Sequence, residues 1–135
     1  MKYSALVTHL STSATAVSGI GTFEIGVVDN VNNNSSKSYM YVQILPIEST
    51  GKRRSTMNNR EYTINGYIDD NRDSTAEATQ FQEIEDKFDL FLTAICAHAD
   101  VNLKEETYKL TRIPKYANSE LLTINFQFTL MVTQC

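Results

Sequence analysis

The chain predicts a single α+β domain over residues 1–135, built as an antiparallel sheet of about four to five strands with a long helix and an N-terminal helix packed on one face. Three observations lead there. Phe81, Ile84, Phe88, Phe91, Leu92, Ile95 and Ala99 recur at three- and four-residue spacing, the period of one helical face. Leu122, Ile124, Phe126, Phe128, Leu130 and Val132 alternate with Thr123, Asn125, Gln127 and Thr129, the period of a strand with one buried face. Between these, the order helix, strand, strand, strand, helix, strand, strand contains no βαβ alternation long enough for a doubly wound sheet, so an antiparallel sheet is the economical solution.

Each element has a local reason. Tyr3, Leu6, Val7, Leu10, Ala14 and Val17 share one helical face, and Gly19 supplies a stop after it. Thr22–Val28 reads as a short strand, and the following DNVNNNSSKS, with almost nothing to bury, reads as a surface loop. Aromatic and β-branched residues mark Tyr39–Ile44 and Glu61–Ile68 as strands, separated by a long polar and basic connection. Asp69–Asp73 reads as a turn, and Ser74 with Glu77 three residues on gives a capping box that opens the long helix. After a short loop, Thr107–Ile113 and Leu121–Val132 form a hairpin across Pro114–Glu120.

Composition excludes several functions. A chain that is 41% hydrophobic and 21% charged, with two prolines and five glycines, is ordinary globular chemistry. Net charge of −4 gives the surface as a whole no attraction for nucleic acid or an anionic membrane. The N-terminal MKYSALVTHLSTSATAV interrupts its apolar residues too often for a signal peptide, and no segment reaches the ~18 apolar residues of a membrane span. The expectation is a soluble, cytosolic protein. Cys96 and Cys135 make neither a disulfide framework nor a zinc pattern.

No catalytic, cofactor-binding or metal-ligating set emerges. His9 and His98 fall on different helices without ligand-spaced neighbours, and Cys96 and His98, two residues apart, face different ways on a helix. Asp69, Asp70 and Asp73 lack the glycine and glutamate of a calcium loop, since Thr75 and Phe81 occupy those places. Gly19-Ile20-Gly21 lacks the further glycine and helix of a nucleotide-binding turn. The expectation is a protein that assembles rather than catalyses. Its one charge concentration is Lys52, Arg53 and Arg54, reinforced by Arg60, on a connection suited to reaching an acidic partner surface.

The layout resembles the tail terminator or tail completion proteins of long-tailed bacteriophages. The resemblance is carried by the N-terminal helix running into GIGTFEIG, YMYVQILPIES and REYTINGYI split by a basic loop, the helix ATQFQEIEDKFDLFLTAICAHADV, and YKLTRIPKY with LLTINFQFTLMV. It covers nearly the full chain as architecture, without an invariant short motif. It implies a virion protein, assembled in the host cytoplasm, that forms a hexameric ring capping the tail tube. Its partners would be itself, the tail tube protein and a head-tail connector or neck protein, with DNA passing through the lumen without specific binding. By this resemblance Lys52, Arg53, Arg54 and Arg60 meet a neighbour or the tube, and the polar face of the final strand, Thr123, Asn125 and Gln127, is buried only in the assembly. Two alternatives are another neck or tail protein of the virion, and a small-ligand-binding domain whose pocket is lined by Phe81, Phe88 and Phe91.

Overall fold

The structure, a computed structural model, describes residues 1–26, 38–45, 59–71, 77–113 and 121–133. Two helices, α1 (Tyr3–Thr15) and α2 (Glu77–Cys96), lie on one face of a five-stranded sheet. The strands are β1 (Ile20–Ile25), β2 (Ser38–Leu45), β3 (Asn59–Asn71), β4 (Val101–Ile113) and β5 (Leu121–Thr133), in the order β1-β2-β3-β5-β4. The α+β expectation holds, with one departure: β1 runs parallel to β2, so the sheet is mixed rather than wholly antiparallel. Parallel neighbours need a return connection of about a dozen residues. The stretch between Gly26 and Ser38 has the length for one; the local pattern marks Val27 and Val28 as the end of the strand and Asp29–Ser38 as a loop, and residues 27–37 lie outside the described residues. Gly26 begins that departure with φ of 100° and donates its N–H to the Val42 carbonyl at 3.1 Å.

The core forms where the two periodicities meet. Leu122, Ile124, Phe128, Leu130 and Val132 of β5 are fully buried on the same side as Ile64 and Ile68 of β3 and Met40 and Val42 of β2. Phe88 of α2 sits on this surface, its ring centroid 4.7 Å from that of Phe126 and 6.0 Å from that of Phe128. Phe91, also fully buried, reaches Phe23 of β1 at 6.0 Å. Burying a side chain of this size stabilises by about 1.5–3 kcal/mol relative to exposure. Leu6, Leu10 and Ala14 turn the matching face of α1 inward, and His9 Nε2 lies 2.9 Å from the Ile95 carbonyl, a bond that joins the two helices.

Several boundaries move for physical reasons. The long helix ends at Cys96, so Ala99 is an exposed residue of the following turn rather than the last position of the core stripe. Asp69, Asp70 and Asn71 continue β3 opposite Thr123, Leu122 and Leu121 instead of forming a turn; Asp73 and the capping residue Ser74 lie outside the described residues. β4 starts at Val101, six residues before the expected Thr107. Residues 105–108 bulge opposite Phe128 alone, and the pairing resumes at Lys109↔Gln127. Before the bulge Val101 and Leu103 meet the core; after it Leu110 does, with Arg112 pairing with Glu85 of α2. This change of phase erased the alternation that would have marked the whole strand. Thr107 closes the gap: its hydroxyl donates to the Lys104 carbonyl at 2.6 Å and accepts the Thr129 N–H at 2.8 Å.

Gly66 stands at the centre of the sheet between Val42 and Phe126. A Cβ there would lie 2.0 Å from the Tyr41 carbonyl oxygen, closer than any real contact. Gly66→Ala is therefore expected to destabilise by at least about 2 kcal/mol. Urea unfolding monitored by circular dichroism checks this, and an unchanged midpoint would refute it.

Candidate interaction surface

With both helices on one side, no helix among the described residues lies on the other side of the sheet. Strict alternation decides what it presents. Along β5 it shows Thr123, Asn125, Gln127 and Thr129, which stand opposite Asp69, Tyr67, Asn65 and Thr63 of β3. On the other flank Asn125 meets Thr111 and Gln127 meets Lys109 of β4. Asn125, Gln127, Lys109 and Thr111 are exposed, while Asn65 and Tyr67 are half-buried. Around them lies a shallow open depression of about 340 Å³, floored at Gly66 and Phe126.

The predicted site residues separate on this surface. Asn125 and Gln127 face outward at the edge of the depression, as the alternation implies. Thr123 is half-buried, and its hydroxyl donates to Asp69 Oδ1 at 2.6 Å, so it braces the sheet and has less to offer a partner. Arg60 is exposed near the start of β3, opposite Val132. Lys52, Arg53 and Arg54 lie outside the described residues. Tyr67, Asn65, Lys109 and Thr111 were not singled out from sequence. The alternation of β3 held the signal for the first two, whereas the bulge concealed the register of the other two.

At the β1 side of this face, the Tyr67 ring lies tilted against those of Tyr39, at 6.0 Å between centroids, and Tyr41, at 5.4 Å. Burial, followed by the neighbouring Glu24 and Tyr67, pushes the Tyr39 hydroxyl well above the ordinary phenol range, so it stays neutral. At the other end Thr63 and Thr129 share a hydroxyl hydrogen bond at 3.1 Å. Lys104 Nζ donates to Glu61 Oε1 at 2.9 Å. That exposed pair is worth little to stability, but it leaves the middle of the face with Lys109 as its one full charge among the described residues.

The histidines, Cys96 and the paired aspartates have structural surroundings. His9 and His98, on different elements, do meet, edge to face at 5.2 Å between centroids. His9 is tied to the Ile95 carbonyl, and His98 Nδ1 accepts the Asp100 N–H at 3.0 Å. Partial burial pushes the Cys96 thiol up, away from thiolate character. Asp70 is fully buried on the core side while Asp69 faces outward, so these carboxylates do not converge. Among the described residues no three His, Cys, Asp or Glu side chains form a group able to hold a metal ion. No helix among them is long and apolar enough to cross a membrane.

No protein-family model matches the chain, and neither does any curated protein. Among solved structures, "Structure of bacteriophage SPP1 gp17 protein" is similar over 93% of this chain and 86% of that one, at 16% identity and a TM-score of 0.39. That is a loose overlap of chain path, too distant to transfer the role of any residue.

Asp69 provides a test of how this face responds to pH. Burial raises its carboxyl above the ordinary value, and the Thr123 hydrogen bond opposes the rise in part. The folded state then holds the proton more tightly than the unfolded chain, so stability is lost as pH climbs from the unfolded value through the raised folded one. Asp69→Asn, which keeps an oxygen for Thr123, is expected to match the wild type in acid, where both side chains are neutral, and to exceed it at neutral pH. Urea midpoints at the two pH values decide it; a variant weaker than wild type at neutral pH would contradict the assignment.

Proposed function

We propose that the chain is a structural virion protein, a phage tail terminator that assembles as a ring, hexameric by resemblance, over the end of the tail tube and offers a docking surface to the head or neck. The observation that carries this reading is the face of the sheet opposite α1 and α2. Its middle is depleted of charge and built from Asn, Gln, Thr and Tyr, a composition that another protein can cover with little desolvation of full charges, as in the middle of an interface. Function in this reading is geometric. The ring covers the last tube subunits, stops their polymerisation, and leaves a lumen for DNA. The acidic balance of the chain keeps that DNA from adhering. No residue acts as a catalyst, and no cofactor is required.

Another neck or tail position in the virion would use the same surface and differ only in its neighbours. The ligand-binding alternative loses ground on the packing: Phe88 and Phe91 are fully buried against other core side chains, so these rings fill the core instead of lining a pocket.

Light scattering over a range of concentrations, followed by negative-stain imaging with and without tail tubes, tests the proposal. Closed rings, alone or on tube ends, are the expected result; a monomer indifferent to tubes would remove the reading. Replacing Lys52, Arg53 and Arg54 together by glutamine is expected to leave the melting temperature unchanged and to weaken binding to tubes. The loss should be largest at low salt, where unscreened charge contributes most.

A further inference from the structure

We infer that the meeting of His9 with His98 is an acid-sensitive joint, which accepts one proton without loss and is opened by a second. The inference stands on contacts within one chain and is independent of the assembly reading above.

Both histidines converge on one carbonyl in the last turn of α2. The Ile95 oxygen lies 2.9 Å from His9 Nε2 of α1 and accepts the His98 N–H of the following turn at 3.5 Å. A carbonyl only accepts, so His9 Nε2 carries a proton. The His98 ring is set the other way round: its Nδ1 takes the Asp100 N–H at 3.0 Å, and that nitrogen must keep its lone pair. Acceptance by a side chain of the N–H two residues on is the bond that an asparagine makes in an Asx turn. The two rings stand edge to face, 5.2 Å apart between centroids.

These roles make the two protonations unequal. A proton added to His9 goes to Nδ1 and leaves the bond to Ile95 in place, and the carbonyl end of a helix favours the cation. A proton added to His98 also goes to Nδ1, but there it lands on the atom that holds the Asp100 N–H, and an acceptor becomes a donor facing a donor. It also sets a second cation beside the first. The bond from His98 to Asp100 is therefore present at neutral pH and lost in acid.

Little charge among the described residues offsets this. α1 contains no Asp, Glu, Lys or Arg, and between Leu90 and Leu103 Asp100 alone carries a charge of that kind. Its carboxylate is already engaged, with Oδ2 3.4 Å from the Met1 ammonium. Lys2 and Arg60, exposed near the same end of the sheet, add positive charge, and the Cys96 thiol, pushed up by partial burial, stays neutral. The turn itself is a junction. Val101 donates to the His98 carbonyl at 3.1 Å and Thr133 to the Asp100 carbonyl at 2.8 Å, so α2 and the adjoining ends of β4 and β5 meet there. Releasing Asp100 from His98 loosens that junction and leaves the core, whose buried side chains include no histidine, in place.

The test follows urea midpoints of full-length His98→Asn and His98→Ala beside the wild type from pH 8 to pH 5, the range over which an imidazole changes charge. Asparagine keeps an acceptor that takes up no proton in this range. It should match the wild type at pH 8 and exceed it at pH 5 by about fivefold in the folding equilibrium, the net worth of one hydrogen bond. Alanine lacks the acceptor throughout, so it should be weaker than the wild type at pH 8 and draw level by pH 5. Asp69 is the same in all three chains, so its own response to pH cancels. Differences that stay constant from pH 8 to pH 5 would overturn the joint. The amide resonance of Asp100 gives a reading that does not depend on stability: it should move as the wild type is acidified and hold still in the asparagine variant, and equal movement in both would overturn the joint as well.

Discussion

The contact of Phe88 with Phe126 and Phe128 ties α2 to β5, the strand that hydrogen-bonds along its length to both β3 and β4. Because side chains alternate along a strand, seating these two phenylalanines under the helix also decides where every other residue of β5 points. A slip by one residue would put Phe126 and Phe128 in water and bring Asn125 and Gln127 into the core, at a cost in lost burial and unsatisfied amides that no other contact offsets. The polar face is thus not independent of the core. It is the other half of the same alternation, carried to β3 through pairs such as Asn65↔Gln127 and Tyr67↔Asn125.

That coupling explains what could be read from the sequence and what could not. The α2 stripe and the alternation of β5 each repeat over many residues, so the helix, the strand, its buried set and the outward direction of Asn125 and Gln127 were all legible. The first half of β4 was not, because the bulge at 105–108 shifts Val101 and Leu103 out of phase with Leu110. The bulge also concealed Lys109 and Thr111 as neighbours of the polar face. Parallel pairing of β1 was invisible for another reason: strand direction belongs to the path of the whole chain, and no short pattern within Ile20–Ile25 encodes it. Thr123 looked like its polar neighbours in sequence and differs only because register puts it opposite Asp69.

Deviations from regular structure occur where the sheet needs them. Gly66 lets the backbone at Tyr41 come close in the middle of three strands. Thr107 replaces a ladder partner for the Thr129 N–H, so the bulge does not leave that donor unsatisfied. The bulge and the flanking charges Lys104, Glu105, Glu106 and Lys109 also lie on the edge strand β4. Such features blunt an edge against indiscriminate strand pairing.

A face of amides, hydroxyls and tyrosines has different energetics from an apolar one. Exposed to water it costs little, because its polar groups remain hydrated. Covered by a partner, each group exchanges one hydrogen bond for another and gains ~1 kcal/mol, while the contact pays for lost freedom of motion. A single contact of this kind is weak. Closing a ring satisfies every such contact at once, and a template that holds several copies together converts later contacts into intramolecular ones at high effective concentration. For a protein proposed to assemble at the end of a finished tube, this balance has a physical rationale. Under that proposal, copies would remain separate in dilute solution and join where a tube presents them to one another, so the site of assembly would be set by the template and not by the strength of any one interface.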